Sequence, residues 1–144
     1  MEIIKMEQGH VSQVAALEAI CFRDPWSEKS VASELSNPLS HWLVAVEADT
    51  VLGYIGSQTV LDESDMMNVA VSPAHRRRGI AEALVLALAD ALREKGSVKL
   101  TLEVRASNAP AITLYEKLDF KPIGLRKNYY RNPKEDALIL QKEL

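Results

Sequence analysis

Cysteine is almost missing from this 144-residue chain, where Cys21 stands alone. No intrachain disulfide can form, and such usage points to a reducing compartment. Glycine and proline number 6 each and nowhere cluster, which excludes collagen-like and low-complexity architectures. The three histidines, His10, His41 and His75, are dispersed without metal-ligand spacing, so no metal is expected. An excess of charge is lacking too: 17 Lys plus Arg against 20 Asp plus Glu leave a net −3. On that balance no direct nucleic-acid binding and no membrane partner are expected. The most apolar stretch, Ala81 to Leu92, is broken by Glu82 and Asp90 and is too short for a bilayer. The opening Met1-Glu2-Ile3-Ile4-Lys5 lacks a signal-peptide pattern. A cytoplasmic protein is the expectation.

With 47% hydrophobic and 26% charged residues, the chain is expected to fold as one globular domain spanning 1–144. Val11, Val14, Leu17 and Cys21 recur at helical spacing before the turn-like Arg23-Asp24-Pro25. Ser27 predicts the cap of a short helix with Val31 and Leu35 on one face, ended by Asn37-Pro38. Trp42 to Glu47 and Val51 to Leu61 predict strands, Asp62-Glu63-Ser64-Asp65 an acidic loop, and Met66 to Val71 another strand. After Gly79, Ile80, Leu84, Leu88 and Leu92 fall four apart in a helix that Gly96 stops. Val98, Leu100, Leu102 and Val104 alternate with Lys99, Thr101, Glu103 and Arg105, a two-faced strand. A helix from Pro110 to Leu118 and strands over Phe120–Leu125 and Ala137–Lys142 complete the order βααβββαβαββ. The fold class is α/β (α+β mixed), one mostly antiparallel sheet flanked by helices.

The most informative segment runs from Val69-Ala70-Val71 through Ser72-Pro73-Ala74-His75 to Arg76-Arg77-Arg78-Gly79-Ile80-Ala81. A strand enters a basic turn, then a glycine, then a long helix. The first N–H groups of a helix lack internal partners and carry the positive end of its dipole. Gly79 and the small Ala81 let a bulky anion approach the backbone, and three arginines add charge-assisted donors. Taken alone, three arginines read as a solvated charge run; their place between strand, glycine and helix points instead to a phosphate or pyrophosphate. The Walker A and dinucleotide fingerprints are both absent.

This turn resembles the Gln/Arg-x-x-Gly-x-Gly/Ala signature of the Gcn5-related N-acetyltransferase superfamily, which holds the pyrophosphate of acetyl-coenzyme A. Asn108-Ala109-Pro110-Ala111, Leu114-Tyr115-Glu116-Lys117-Leu118 and Phe120 resemble the next motif of that superfamily. Within it, Pro25-Trp26-Ser27, Leu102 to Asn108, Asn128-Tyr129-Tyr130 and Glu135-Asp136-Ala137 resemble the RimI family of bacterial enzymes, which acetylate the N-terminal alanine of a small-subunit ribosomal protein. Asp119 departs from the usual Leu-Gly-Phe, and Ala81 stands where many members have glycine.

The resemblance implies acetyl-coenzyme A as co-substrate, held at Arg76, Arg77, Arg78, Gly79, Ile80, Ala81 and Glu82. It also implies backbone pairing of the pantetheine arm with Val69, Ala70 and Val71, and a pantetheine contact or helix cap at Asn108. Glu103, which by itself reads as a solvated strand carboxylate, becomes the candidate base. Tyr115, otherwise a helix aromatic packing on the sheet, becomes the candidate acid for the departing thiolate. An N-terminal amine, with a pKa of about 7.7–8.0, asks little of such a base. The implied partner is the N-terminal segment of a small-subunit ribosomal protein. Asp24, Trp26, Tyr129 and Tyr130 are candidate walls of its groove, with a core role open for Trp26. Cys21, on an apolar helix face, reads as a buried thiol. Acidic Asp62, Glu63 and Asp65 read as a solvated loop or as contacts for a basic tail. Two other readings stand beside this one: a scaffold serving a small amine or a lysine side chain, and a non-catalytic acyl-coenzyme A binding module.

Overall fold

A computed structural model describes residues Met1–Leu144. The strands are β1 (Glu2–Lys5), β2 (Ser40–Glu47), β3 (Thr50–Val60), β4 (Glu63–Val71), β5 (Lys99–Arg105), β6 (Lys121–Tyr130) and β7 (Glu135–Glu143). The helices are α1 (Val11–Cys21), α2 (Glu28–Ser33), α3 (Ile80–Glu94) and α4 (Ala109–Lys117). The order βααβββαβαββ is therefore the one its periodicities predict. One seven-stranded sheet runs β1-β2-β3-β4-β5-β7-β6. Every neighbouring pair is antiparallel except β4 and β5.

Alternation along the strands gives the sheet two apolar faces. One packs Leu43, Ile55, Met66, Leu100, Leu102 and Val104 under α3 and α4, with Leu84, Leu88, Leu92 and Tyr115. The other packs Trp42, Val44 and Tyr54 against Val11, Val14 and Leu17 of α1 and Val31 of α2. Trp42 reaches this position because residue 56 is glycine: a Cβ there would lie 2.3 Å from the indole Cε2.

The parallel pair sets up the site. β4 and β5 are paired only at Glu63 with Lys99, Ser64 with Leu100 and Asp65 with Thr101. Just beyond, the register against β3 shifts between Gly56 and Ser57, leaving Met67 as an extra residue in β4. Such a bulge bends its strand. From Met66 to Val71, β4 pairs with β3 alone, and its edge toward β5 is open.

Three local expectations are corrected. Asp62–Asp65 is not a loop: Leu61 and Asp62 make a two-residue turn, and Glu63 already pairs with Val60. Ser64 turns inward, bonded to the Thr59 and Ser97 hydroxyls at 2.7 and 2.8 Å, so an acidic run still serves as a strand. Leu35 does not share the buried face of Val31. The chain tightens to a 3₁₀ turn at Glu34–Ser36, which carries Glu34 inward and leaves Leu35 exposed. The Phe120–Leu125 strand continues to Tyr130, because Asn128 takes a left-handed conformation (φ 54°) inside an irregular hairpin rather than ending it.

Candidate active site

The turn after β4 is built as an anion cradle. Gly79 caps α3 with φ 73° and ψ 18°, and nothing lies within 4 Å of where its Cβ would be. The first backbone bond of α3 is from Ala83 N–H to the Gly79 carbonyl at 3.0 Å. No backbone acceptor serves the N–H groups of Arg77, Arg78, Gly79, Ile80, Ala81 or Glu82. Six consecutive free donors, at the positive end of a 15-residue helix, suit a pyrophosphate.

The three arginines differ. Arg78 is ion-paired with Glu47 at 3.1 Å, and Arg76 turns back to the Val71 carbonyl (3.4 Å) and the Cys21 sulfur (3.8 Å). Arg77, itself at φ 66°, engages no protein acceptor. Glu82 contributes a first-turn N–H, while its carboxylate ties α3 to α4 through Lys117 at 3.1 Å. Cys21 is half-buried rather than buried, because it lies at the edge of this turn. Val69, Ala70 and Val71 line the open edge of β4 that leads into the cradle. Asn108 is the cap of α4, accepting from Ala111 N–H at 3.3 Å.

Glu103 lies on β5 between the buried Leu102 and Val104 and projects to the opposite face. Its Oε1 pairs with Arg126 Nε at 3.3 Å, whereas Oε2 is buried without a hydrogen-bond partner. A carboxylate oxygen in that state has unused hydrogen-bond acceptor capacity. Around it stand Tyr129, its phenol pKa raised chiefly by the neighbouring Glu103 carboxylate, and Asp65, raised by desolvation and then by the Glu103 charge. Tyr129 and Tyr130 meet edge-to-face at 5.1 Å, and Arg105 lies 4.4 Å over the Tyr130 ring.

This hairpin is fixed by residues whose purpose the sequence did not disclose. Arg105 bonds the carbonyls of Pro133 and Arg131 (3.0 and 3.1 Å) and the Glu135 carboxylate (3.4 Å). Glu135 accepts from Ser107 N–H at 2.6 Å, and Asp136 accepts from Asn128 N–H at 2.8 Å. The Glu-Asp pair is therefore the brace of the tyrosine-bearing hairpin.

Tyr115 stands on α4 in the cluster beneath β5, edge-on to Phe120 at 5.5 Å. Burial pushes its phenol up to about 12, with a smaller push from Tyr130. The hydroxyl stays protonated at any working pH. Asp119, after α4, adopts the left-handed conformation (φ 71°) for which glycine is usual.

Asp24 and Trp26 occupy the loop between α1 and α2. Asp24 is exposed; Trp26 is half-buried, its ring 5.4 Å from that of Trp42, so it is both a core contact and a rim residue. No hydrogen bond, ion pair or ring contact joins them to Glu103, Tyr129 or Tyr130. The loop is held instead by Glu18, a fully buried carboxylate absent from the sequence-based candidates. Its signal was there: a glutamate one step from Leu17 on the apolar face of α1, where nothing polar belongs without a partner. No group of three or more His, Cys, Asp or Glu is placed to hold a metal, and no helix is long and apolar enough to cross a membrane.

A sheet split that leads into a helix-capping anion cradle suits a ligand with an extended polar arm and a pyrophosphate end. The chain belongs to the acetyltransferase (GNAT) family, whose model matches residues 11–120. It is 41% identical over 118 residues to a ribosomal protein bS18-alanine N-acetyltransferase of Escherichia coli (strain K12), covering 81% of this chain and 79% of the relative. A relative from Bacillus subtilis (strain 168) is 39% identical over 136 residues, 94% of this chain and 90% of its own. The crystal structure of the ribosomal-protein-S18-alanine N-acetyltransferase from Escherichia coli superposes with a TM-score of 0.91 at 35% identity, covering 99% of this chain and 92% of that one. An Arabidopsis thaliana NAA60 structure in complex with acetyl-CoA shares the fold at a TM-score of 0.89 and 14% identity, over 99% of this chain and 98% of that one.

Proposed function

We propose that residues 1–144 act as one acetyltransferase domain in the cytoplasm, moving acetyl from acetyl-coenzyme A to the N-terminal α-amine of an alanine in the small-subunit ribosomal protein bS18. The observation that carries the reading is the gap between β4 and β5, with the unpartnered Glu103 Oε2 on one face and Tyr115 on the other. The named activity of the 41%-identical relative supports the acceptor.

The coenzyme pyrophosphate lies on the free N–H groups of residues 77–82, with Arg77 as the available guanidinium. The pantetheine arm pairs with the open edge of β4 at Val69 to Val71 and passes the α4 cap at Asn108. The acceptor amine approaches from the Glu103 face, between Tyr129 and Tyr130 on one side and the Asp24–Trp26 loop on the other. Glu103 takes its proton, directly or through a water. The neutral nitrogen attacks the thioester carbon, the carbonyl oxygen charge meets a β4 N–H, and the carbon–sulfur bond breaks. Tyr115 donates toward the departing sulfur, and the second proton that the nitrogen sheds as the amide forms returns to the phenol by way of water. The products are an acetylated N-terminus and coenzyme A.

The test is thiol release from acetyl-coenzyme A with three peptides: a free alanine N-terminus, the same peptide with that amine blocked, and a blocked peptide with an internal lysine. Turnover with the first alone supports the reading. Turnover with the lysine peptide alone assigns the other acceptor class, and binding of the coenzyme without turnover assigns a non-catalytic module.

A further inference from the structure

Glu18 is fully buried between α1 and the sheet, outside the catalytic group described above. Four donor contacts converge on its two oxygens. Trp26 N–H reaches Oε1 at 2.9 Å, and Asn68 Nδ2 reaches Oε1 and Oε2 at 3.1 and 3.0 Å. The Tyr54 hydroxyl donates to Oε2. These partners come from the α1–α2 loop, from β3, and from the first residue of β4 after its bulge. A ring ladder runs parallel to them: Trp26 on Trp42 at 5.4 Å, and Trp42 stacked on Tyr54 at 6.0 Å with 8° between planes. Carboxylate and rings together make a closed circuit from the loop to β4.

Both ends of that circuit matter for the reaction. Asn68 directly precedes Val69-Ala70-Val71, the open edge of β4. Trp26 lies in the loop assigned as one wall of the acceptor groove, and its backbone N–H is held by the Glu18 carboxylate. Burying a carboxylate is costly unless every lone pair is used. Here the Trp26 N–H, the Tyr54 hydroxyl and the Asn68 amide NH₂ all donate inward, and a carboxylate accepts from all three at once. An amide keeps one acceptor oxygen, so Tyr54 or Asn68 must reorient to receive its NH₂ and the set of contacts loosens.

We infer that Glu18 is a positioning residue that sets the separation between the Asp24–Trp26 wall and the coenzyme-facing strand, and so controls acceptor binding. This rests on the loop's being a groove wall, as proposed above. The backbone pairing of β4 with β3 continues through Val71 without Glu18, so coenzyme binding does not depend on it. A purely structural role would lower thermal stability and weaken both substrates together. A positioning role separates them.

The experiment compares Glu18→Gln, Asn68→Ala and Trp26→Ala with wild type. It records KM and kcat for an alanine-initiated peptide, KM for acetyl-coenzyme A, and Tm, with assays run well below every Tm. Glu18→Gln should raise the peptide KM roughly tenfold, the scale of losing one hydrogen bond to a charged acceptor. Asn68→Ala should raise it in the same direction, and both should leave the coenzyme KM near wild type. Asn68 is only half-buried, so its variant carries the test if Glu18→Gln fails to fold. Peptide KM values unchanged in Asn68→Ala and in folded Glu18→Gln, while Trp26→Ala raises its own, would overturn the positioning role and keep the groove. Coenzyme and peptide KM rising together would also overturn it. An unchanged peptide KM in Trp26→Ala would remove the groove wall and the inference with it.

Discussion

Glu103 and Tyr115 lie on opposite faces of β5, in the stretch where its pairing with β4 has ended. Leu102 and Val104, which flank Glu103, are buried in the same cluster as Tyr115, while Glu103 points the other way to Arg126. In the proposed mechanism, the period-2 alternation of β5 puts the proton acceptor on one face of the strand and the α4 cluster that holds the proton donor on the other. A thioester lying in the gap would have its carbonyl carbon open to the Glu103 face. Its sulfur would leave toward Tyr115.

Glu103→Gln keeps the shape of the side chain and removes its capacity to take a proton. Turnover should fall by roughly 10²–10⁴, the usual cost of losing a general base, with coenzyme affinity intact. Activity should recover in part as pH rises past the amine pKa of about 7.7–8.0, where a base is no longer needed. Steady-state rates against pH for both proteins check this; parallel profiles of equal height would take Glu103 out of the mechanism.

Tyr115→Phe preserves the edge-on contact with Phe120 and deletes only the hydroxyl, so Tm should stay near wild type while turnover falls. Because burial holds this phenol at about 12, the wild-type rate should show no descending limb from it up to pH 10. A limb near pH 10 that disappears in Tyr115→Phe would mean that the phenol is not buried in the working enzyme.

Gly79→Val should separate folding from coenzyme binding. No protein atom obstructs the new Cβ, so the fold pays only the backbone strain of φ 73°, roughly 1–2 kcal/mol. The side chain would occupy the approach to the free N–H groups, and calorimetric affinity for acetyl-coenzyme A should collapse. Retained affinity would move the pyrophosphate elsewhere.

Gly56→Ala should be costly for a different reason. Its Cβ would meet Trp42 ring carbons at 2.3 to 2.6 Å, and the indole is locked between Trp26 and Tyr54. Overpacking of this kind costs about 1–3 kcal/mol, read as a fall in Tm. Asp119→Gly should raise Tm, with a gain in stability of up to about 1 kcal/mol, since it relieves a left-handed aspartate.

The hairpin brace gives a pH dependence. The hydrogen bond with Ser107 is the main cause holding the Glu135 carboxyl below its ordinary 4.5, with Arg105 adding to it. A lowered folded pKa means that its contribution is present above pH 4.5 and lost as pH falls through the lowered value. The Tm gap between wild type and Glu135→Gln should therefore close on acidification below about 4.5. A gap that stays constant would show that the carboxylate does not brace the hairpin.

Much of this was legible in the chain. The element order, the helix start at Gly79, the Ser27 and Asn108 caps and the outward Glu103 follow from periodicity and local rules that tertiary packing did not override. What stayed hidden depends on long-range pairing. Glu18 meets Asn68 across 50 positions, and the bulge at Met67 exists only against β3. Asp62–Asp65 misled because its charges mask a strand whose inward residue is a serine satisfied by two distant hydroxyls. Arg76, Arg77 and Arg78 are equivalent in sequence, and only the folded chain brings Val71, Cys21 and Glu47 to Arg76 and Arg78.

The most direct measurement is mass-spectrometric mapping of the acetyl group after incubating the protein with acetyl-coenzyme A and unacetylated bS18. The account requires one added acetyl on the α-amine of the N-terminal alanine, dependent on Glu103 and absent when that amine is blocked. Acetyl found only on lysine side chains, or equal modification by Glu103→Gln and wild type, would contradict it.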